Sequence, residues 1–145
     1  MKPTKANNDQ ASEAEIVLEA AAKLAGLRIL IIEDVGMIAM ELRLMLEHLN
    51  CRIAGVASRL HEATMLAQTT EHLDGVLLDL NLSGENSYPI GDILRKRGIP
   101  FIIMSGYDAS HIRADFANDA HVQKPFTHHA LARMMLRTFL PAKDA

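Results

Sequence analysis

The 145-residue sequence contains no tryptophan and a single cysteine, Cys51, and it lacks any long uninterrupted apolar run. One cysteine excludes a disulfide within the chain and favours a reducing, cytoplasmic setting. The most apolar stretch, residues 16–32, is interrupted by Glu19, Lys23 and Arg28, which are too many charges for a membrane span. The polar N-terminus lacks the apolar stretch of a signal peptide. We therefore expect no membrane association.

Neither sign of charge dominates the sequence. The net charge is −3 with histidine neutral, which argues against nucleic acid as a direct partner. Apolar residues make up 49% and charged residues 23%, as in ordinary globular proteins. A chain of this length has room for one domain with its own hydrophobic core.

Short apolar runs alternate with amphipathic stretches from Leu27 onward. The runs predict strands at Leu27–Ile32, Ile53–Val56, Gly75–Leu78, Phe101–Met104 and Ala120–Val122. The stretches between them predict helices at Met37–Leu49, Arg59–Glu71, Ile90–Arg97 and Thr127–Leu140, with a short helix or irregular loop at Ser110–Asn118. Parallel strands need crossover connections, and right-handed crossovers place helices on both faces of a sheet. The pattern therefore predicts an α/β domain, doubly wound around a five-stranded parallel sheet.

An extra helix is predicted before the first strand. Residues 1–11 are polar and are expected to form a mobile tail. Ser12 and Glu15 have the spacing of a capping box, which predicts a helix over Ala14–Ala25 that Gly26 can close. We expect this helix to be an appendage rather than part of the core. The predicted organisation is a tail and helix over residues 1–26, a main domain over 27–141 and a C-terminal tail over 142–145.

Polar residues lie at or near the ends of four of the five predicted strands. After the first, third, fourth and fifth strands the sequence reads, in that order, Glu33-Asp34, Asp79-Leu80-Asn81, Ser105-Gly106 and Lys124-Pro125. In open sheets of this type, ligands bind outside the carboxyl ends of the strands. Three carboxylates at one such edge repel one another unless a counter-charge is present. Oxygen ligands without histidine or cysteine indicate a hard cation, and magnesium fits best.

This combination of groups suits phosphoryl transfer onto an aspartate. Asp79 is the candidate nucleophile, Lys124 and the cation would neutralise charge on the phosphoryl oxygens, and the Ser105 hydroxyl adds a hydrogen-bond donor. Each residue alone has a simpler interpretation, such as a helix N-cap for Asp34 or a turn for Ser105. The prediction therefore depends on the ordered set.

The ordered set resembles the receiver domain of bacterial two-component response regulators, over about Leu27 to Leu140. The matching residues are Glu33-Asp34, Leu77-Leu78-Asp79-Leu80-Asn81, Ser105 and Lys124-Pro125-Phe126. The segment from Ile99 to Tyr107 further resembles a subgroup of stand-alone receivers in which Gly and Tyr follow the switch Thr or Ser. The resemblance implies a flavodoxin-like fold and a single-domain response regulator in phosphorelay signalling.

The resemblance also implies a role for each site residue. Asp79 would be the phosphoacceptor, Ser105 the switch hydroxyl that moves onto the phosphoryl group, and Lys124 a contact to a phosphoryl oxygen. The implied magnesium ligands are the side chains of Asp34 and Asp79, the backbone carbonyl of Asn81, and Glu33 through water.

The sequence departs from the receiver pattern at three places. Leu82-Ser83-Gly84 stands where a Met-Pro pair commonly follows the phosphoacceptor. His121 occupies the position, three residues before the lysine, that usually holds an aromatic switch residue. Tyr107, two residues after Ser105, is the aromatic residue near the site. These departures concern the switch rather than the phosphorylation chemistry.

The implied partners are proteins. A histidine kinase or histidine phosphotransferase would dock on the face near Val35 to Met40 and on the last helix, and the surface around Ser105 to Phe116 and His121 would report the phosphorylation state. Only residues 141–145 follow the last predicted helix, so output is expected through contact with a downstream protein or through onward transfer. No enzymatic turnover is expected beyond self-phosphotransfer and autodephosphorylation.

Two other functions remain open at this point. A receiver-like interaction module that is never phosphorylated would share the fold, although the complete acid, serine and lysine set argues against it. A phosphohydrolase acting through an aspartyl-phosphate is the second alternative. The haloacid dehalogenase pattern places a second Asp two residues after the nucleophile that follows the first strand, and Glu33-Asp34-Val35-Gly36 does not match it.

Overall fold

The computed structural model describes residues 5–106 and 111–140, with side chains from residue 13 onward. Its strands are β1 (Arg28–Ile32), β2 (Arg52–Ala57), β3 (Gly75–Asp79), β4 (Asn81–Leu82), β5 (Glu85–Asn86), β6 (Phe101–Ser105) and β7 (His121–Gln123). Five of them form one parallel sheet in the order β2-β1-β3-β6-β7, while β4 and β5 pair as a small antiparallel hairpin. The predicted five-stranded parallel sheet is therefore confirmed.

Helices cover both faces of the sheet. They are α1 (Lys5–Lys23), α2 (Gly36–His48), α3 (Leu60–Thr69), α4 (Tyr88–Arg97) and α5 (His128–Phe139). Alternate residues of β1 enter opposite cores, since Ile29 and Ile31 pack with α1, α2 and α5 whereas Leu30 and Ile32 pack with α3 and α4. Strands buried on both faces read as continuous apolar runs, which explains why the sequence showed them so clearly. The doubly wound, flavodoxin-like fold is confirmed.

The segment between β6 and β7 carries little regular structure. Within the described part of the predicted segment Ser110–Asn118, a 3-10 turn spans Ala114–Phe116. Phe116 is fully buried beneath the side chains of Arg95 and Arg113, which lie over its ring. The described residues of this connection contain no longer helix, and the buried Phe116 ring anchors the connection instead.

The N-terminal helix differs from its prediction in where it begins. It starts at Lys5 and ends at Lys23, so Ser12 lies inside the helix and the predicted capping box is wrong. Most of the predicted tail over residues 1–11 is therefore helical. Gly26 adopts φ +83° in the turn after the helix, where its N–H donates to the carbonyl of Asn50.

This helix also belongs to the core, and the expectation of an appendage is wrong. Ala20 and Leu24 are fully buried in the same cluster as α5 residues such as Met135 and Phe139. The Asn50 side chain donates a hydrogen bond of 2.9 Å to the carbonyl of Ala21, which ties the end of α1 to the turn after α2. The small alanines allow this close approach, and burial of Leu24 contributes about 2 kcal/mol by transfer from water.

We expect Gly75→Ala to destabilise the domain by about 1–3 kcal/mol, as overpacking of a core does. A Cβ at this position would lie 2.5 Å from Cε1 of Phe139, whose ring is itself buried in the last turn of α5. Urea unfolding would measure the loss. Gly36→Ala is the matched control, because a Cβ there meets nothing within 4 Å. A Gly75 variant as stable as the Gly36 variant would contradict this packing argument.

Candidate phosphoacceptor and metal site

The carboxyl ends of the central strands bring three acids together. Glu33 and Asp34 follow β1, and Asp79 ends β3, which pairs directly with β1. One ligand oxygen from each of the three lies within 4.8 Å of the other two. Glu33 and Asp79 are buried and Asp34 is half-buried, so the cluster opens toward solvent on the Asp34 side.

Lys124 brings a positive charge into this cluster from the end of β7. Its Nζ lies 2.6 Å from Oε1 of Glu33 and 3.0 Å from Oδ2 of Asp79. The backbone N–H of Lys124 donates to the carbonyl of Ser105, which fixes the lysine beside the tip of β6. The structure therefore brings together the predicted acids and the predicted lysine.

The electrostatics show an excess of negative charge at the site. Burial raises the pKa of Glu33 to about 8, and the hydrogen bond with Asp79 acts in the same direction while Lys124 opposes it. Burial also acts to lower the pKa of Lys124, but hydrogen bonds to the two carboxylates outweigh it and raise that pKa. The single ammonium of Lys124 therefore does not compensate the negative charge of all three acids, and the pKa of Glu33 stays raised.

A hard divalent cation fits this donor set. Oε2 of Glu33 is buried and has no hydrogen-bond partner among the described residues. Such an unsatisfied buried oxygen is costly, and a nearby cation would offset both its lost hydration and the repulsion between the acids. Magnesium prefers oxygen ligands of this kind and keeps several of its waters.

A hairpin that the sequence analysis missed packs against Asp34. Its turn residues Ser83 and Gly84 both have positive φ, at 54° and 89°. The Ser83 N–H donates to Oδ2 of Asp34 at 2.9 Å, and the Gly84 N–H donates to Oδ1 of Asn81 at 2.7 Å. Burial acts to raise the pKa of Asp34, but hydrogen bonds led by that from Ser83 outweigh it and lower the pKa. The Ser-Gly pair was the available turn signal.

Two further contacts orient the phosphoacceptor candidate. The N–H of Asn81 donates to Oδ1 of Asp79 at 3.0 Å, so both oxygens of Asp79 are engaged. Ser87 is fully buried, and its hydroxyl donates to the backbone carbonyl of Asp79. No sequence pattern singles out Ser87, because a lone serine before a helix resembles an ordinary cap.

Ser105 lies at the tip of β6, 3% exposed, and shares a hydrogen bond with His121. Its Oγ is 2.9 Å from Nε2 of the histidine ring. His121 begins β7, the neighbouring strand, and is half-buried. Tyr107, the aromatic residue singled out in the sequence, lies outside the described residues. The serine and the histidine therefore form one polar pair beside the acids.

An apolar surface borders the site on the α2 side. Met37 is 78% exposed and Met40 is 58% exposed, and Val35 at the start of the helix is exposed as well. Beside them, a cavity of about 310 Å³ lies between α2 and the segment Lys124-Pro125-Phe126. Exposed methionines next to a cavity are suited to binding another protein, because their side chains adapt to varied partners. None of the described helices combines the length and apolar character needed to cross a membrane.

Comparison with known proteins finds a matching family model and a similar curated protein. The family model described as the response regulator receiver domain matches residues 29–136. The phyllosphere-induced regulator PhyR of Methylorubrum extorquens is 30% identical over 124 residues, which are 81% of this chain and 46% of PhyR. The chain thus spans less than half the length of that curated relative.

Solved structures are also similar to this chain. The solution structure of SdrG from Sphingomonas melonis Fr1 has 33% sequence identity and a TM-score of 0.68, covering 76% of this chain and 93% of SdrG. The receiver domain of the sensor histidine kinase PA1611 from Pseudomonas aeruginosa PAO1 has 23% identity and a TM-score of 0.66, covering 78% and 97%. That receiver has a magnesium ion coordinated in its active site cleft.

Proposed function

The chain belongs to the response regulator receiver domain family, and we propose that it acts as a response regulator that accepts a phosphoryl group on Asp79. The observation that carries the proposal is the convergence on Asp79 of two further acids and Lys124, whose Nζ lies 3.0 Å from Oδ2 of Asp79. A structural ion pair alone would need one acid for one lysine. Three acids, with one buried oxygen that lacks a hydrogen-bond partner in the described part of the chain, suit a metal-assisted phosphoacceptor better.

Asp79 supplies the nucleophile, and the other site residues neutralise charge. A carboxylate oxygen of Asp79 attacks phosphorus in line, the bond from phosphorus to the donor nitrogen or oxygen breaks, and the donor leaves with that electron pair. Lys124 neutralises negative charge on a phosphoryl oxygen. The side chains of Asp34 and Asp79, the backbone carbonyl of Asn81, and Glu33 through water would hold magnesium. When bound, this ion would supply the larger part of the positive charge that the reaction needs.

The proposed donor is a histidine kinase or a histidine phosphotransferase in the cytoplasm. The exposed Met37 and Met40 lie on α2, which begins two residues after Asp34. The cavity on the same helix is lined by Lys124, so this side of the site is where a donor would bring its phosphohistidine. Output would follow through contact with a downstream protein or through onward transfer. In this account the chain does not turn over a substrate.

Acetyl phosphate supplies a direct test. Incubation with acetyl phosphate and magnesium, followed by intact-protein mass measurement, should show one added phosphoryl group on the wild-type chain. Asp79→Asn should remove the adduct completely, because the amide is not a competent nucleophile. Asp92→Asn is the matched control, since Asp92 is an exposed aspartate of α4, and it should be phosphorylated like the wild type.

The same experiment separates the alternatives. A wild-type chain without an adduct from acetyl phosphate or from a phosphorylated kinase would favour an unphosphorylated interaction module. Continuous release of phosphate from a small substrate, well beyond one equivalent per chain, would favour a phosphohydrolase. An adduct that persists in Asp79→Asn would place the phosphoacceptor elsewhere.

A further inference from the structure

The hydrogen bond between Ser105 and His121 joins two strand tips on one sheet face. In the parallel pairing of β6 with β7, Ile103 lies opposite His121 and Ser105 lies opposite Gln123. Residues two apart on a strand point to the same face, so Ser105 and His121 are diagonal neighbours there. Their side chains meet at 2.9 Å between Oγ and Nε2. The contact follows from sheet register and does not depend on a loop.

We propose that His121 is a positioning residue that holds the Ser105 hydroxyl away from the phosphoryl group until Asp79 is phosphorylated. This inference rests on the proposed function. In it, the Ser105 O–H donates to Nε2 of His121 in the unphosphorylated protein. A hydroxyl has one proton to donate, so Ser105 cannot donate to the ring and to a phosphoryl oxygen at once.

The competition has a clear direction. A phosphoryl oxygen is a charged acceptor, and hydrogen bonds to charged groups are stronger than those to a neutral ring nitrogen. Phosphorylation therefore draws the hydroxyl from His121, but the bond lost to the ring reduces the net gain. His121 is half-buried, so part of its ring remains accessible to water. The histidine thereby sets how strongly phosphorylation biases the switch.

Beryllofluoride with magnesium is the probe, because it mimics a phosphoryl group on an aspartate without covalent turnover. His121→Phe removes the acceptor and should tighten beryllofluoride binding about fivefold, the equivalent of one ordinary hydrogen bond. His121→Gln keeps an acceptor of similar reach and should bind as the wild type does. In a Ser105→Ala background, His121→Phe should have no effect on affinity, because the competing hydroxyl is gone. Calorimetric titration measures the affinities of the wild type, the two His121 variants, Ser105→Ala and the double variant.

A second measurement follows the ring itself in the wild-type chain. Nitrogen NMR of the imidazole should show Nε2 unprotonated and hydrogen-bonded in the free protein, and its resonance should shift on addition of beryllofluoride. The same addition should leave the His121 resonance nearly unchanged in Ser105→Ala. This readout does not need the His121 variants to fold.

Several outcomes would overturn the inference. They are a protonated Nε2 in the free protein, an affinity of folded His121→Phe equal to or weaker than that of the wild type, and an equal gain in the Ser105→Ala background. If the wild-type chain forms the acetyl phosphate adduct but any of these results is obtained, the role of His121 is rejected and the proposed function stands. If the wild-type chain neither forms the adduct nor binds beryllofluoride, both the proposed function and the role of His121 are rejected.

Discussion

Lys124→Met is expected to slow phosphorylation of Asp79 by acetyl phosphate about 100-fold, which is the order of loss seen when one preorganised hydrogen-bond donor to developing negative charge is removed. The Nζ of Lys124 already lies 3.0 Å from Oδ2 of Asp79, so it is placed to meet an incoming phosphoryl oxygen. Methionine keeps the length and apolar stem of lysine and removes only the charge. The time course of adduct formation at fixed magnesium measures the rate.

The matched control for this substitution is Lys96→Met. Lys96 is exposed in the last turn of α4, so its loss should leave the rate unchanged. All the proposed magnesium ligands remain in Lys124→Met, and titration with magnesium should therefore still show binding. A rate within about threefold of the wild type would contradict the assigned role, since electrostatic contributions at such sites are larger.

Stability without metal is expected to fall as pH rises from about 5 to about 8, by about 3 kcal/mol. The pKa of Glu33 is raised from 4.5 to about 8 in the folded chain, chiefly by burial. The folded state therefore holds a proton on Glu33 that the unfolded state has lost. The stabilisation from this proton is fully present below pH 4.5 and is lost as pH rises through about 8. Urea unfolding in a chelator at several pH values measures it.

Glu33→Gln should flatten this pH dependence, because the amide stays neutral throughout. Glu47→Gln, an exposed carboxylate on α2, should keep the wild-type slope. Magnesium should reduce the slope in the wild-type chain, since a cation compensates the ionised Glu33. If the free energy of unfolding of the wild-type chain in the chelator rises across this pH range, the raised pKa of Glu33 is contradicted. Asp34, whose pKa is lowered, contributes in the opposite sense and loses its stabilisation on acidification.

The convergence of the site residues could be predicted from the sequence because the sheet enforces it. Asp79 and Glu33 each follow a short, fully apolar run, and parallel strands that pair in the core end at the same edge. The central strands β1, β3 and β6 were clear for the same reason, since burial on both faces leaves almost no polar interruption. Once the order of strands was given, the meeting of Lys124 with the acids required no further information.

The hairpin and the serine–histidine pair could not be predicted in the same way. Strands β4 and β5 have two residues each, too few for any periodicity, and the bond from Ser83 to Asp34 spans 49 positions. The bond between Ser105 and His121 depends on the register of β6 and β7, which no local pattern specifies. Contacts of this kind appear only when the tertiary pairing is known.

The start of α1 was missed for an energetic reason. Extending a helix that already has a nucleus adds one hydrogen bond per residue, so the polar residues from Lys5 onward can join it at little cost. Its burial was missed because Ala20 and Leu24 gain their partners from α5, more than 100 positions further along. Propensity and capping motifs describe only the local chain.

Because α1 packs against α5, the folded unit extends beyond the residues that the family model matches. The family match begins at residue 29, after Ala20 and Leu24, yet these two side chains are as deeply enclosed as any in the sheet. A chain shortened to the family boundary would leave a groove along α5, walled by Met135 and Phe139, open to water. The first helix is therefore better regarded as the outer wall of one half of the domain than as a leader before it.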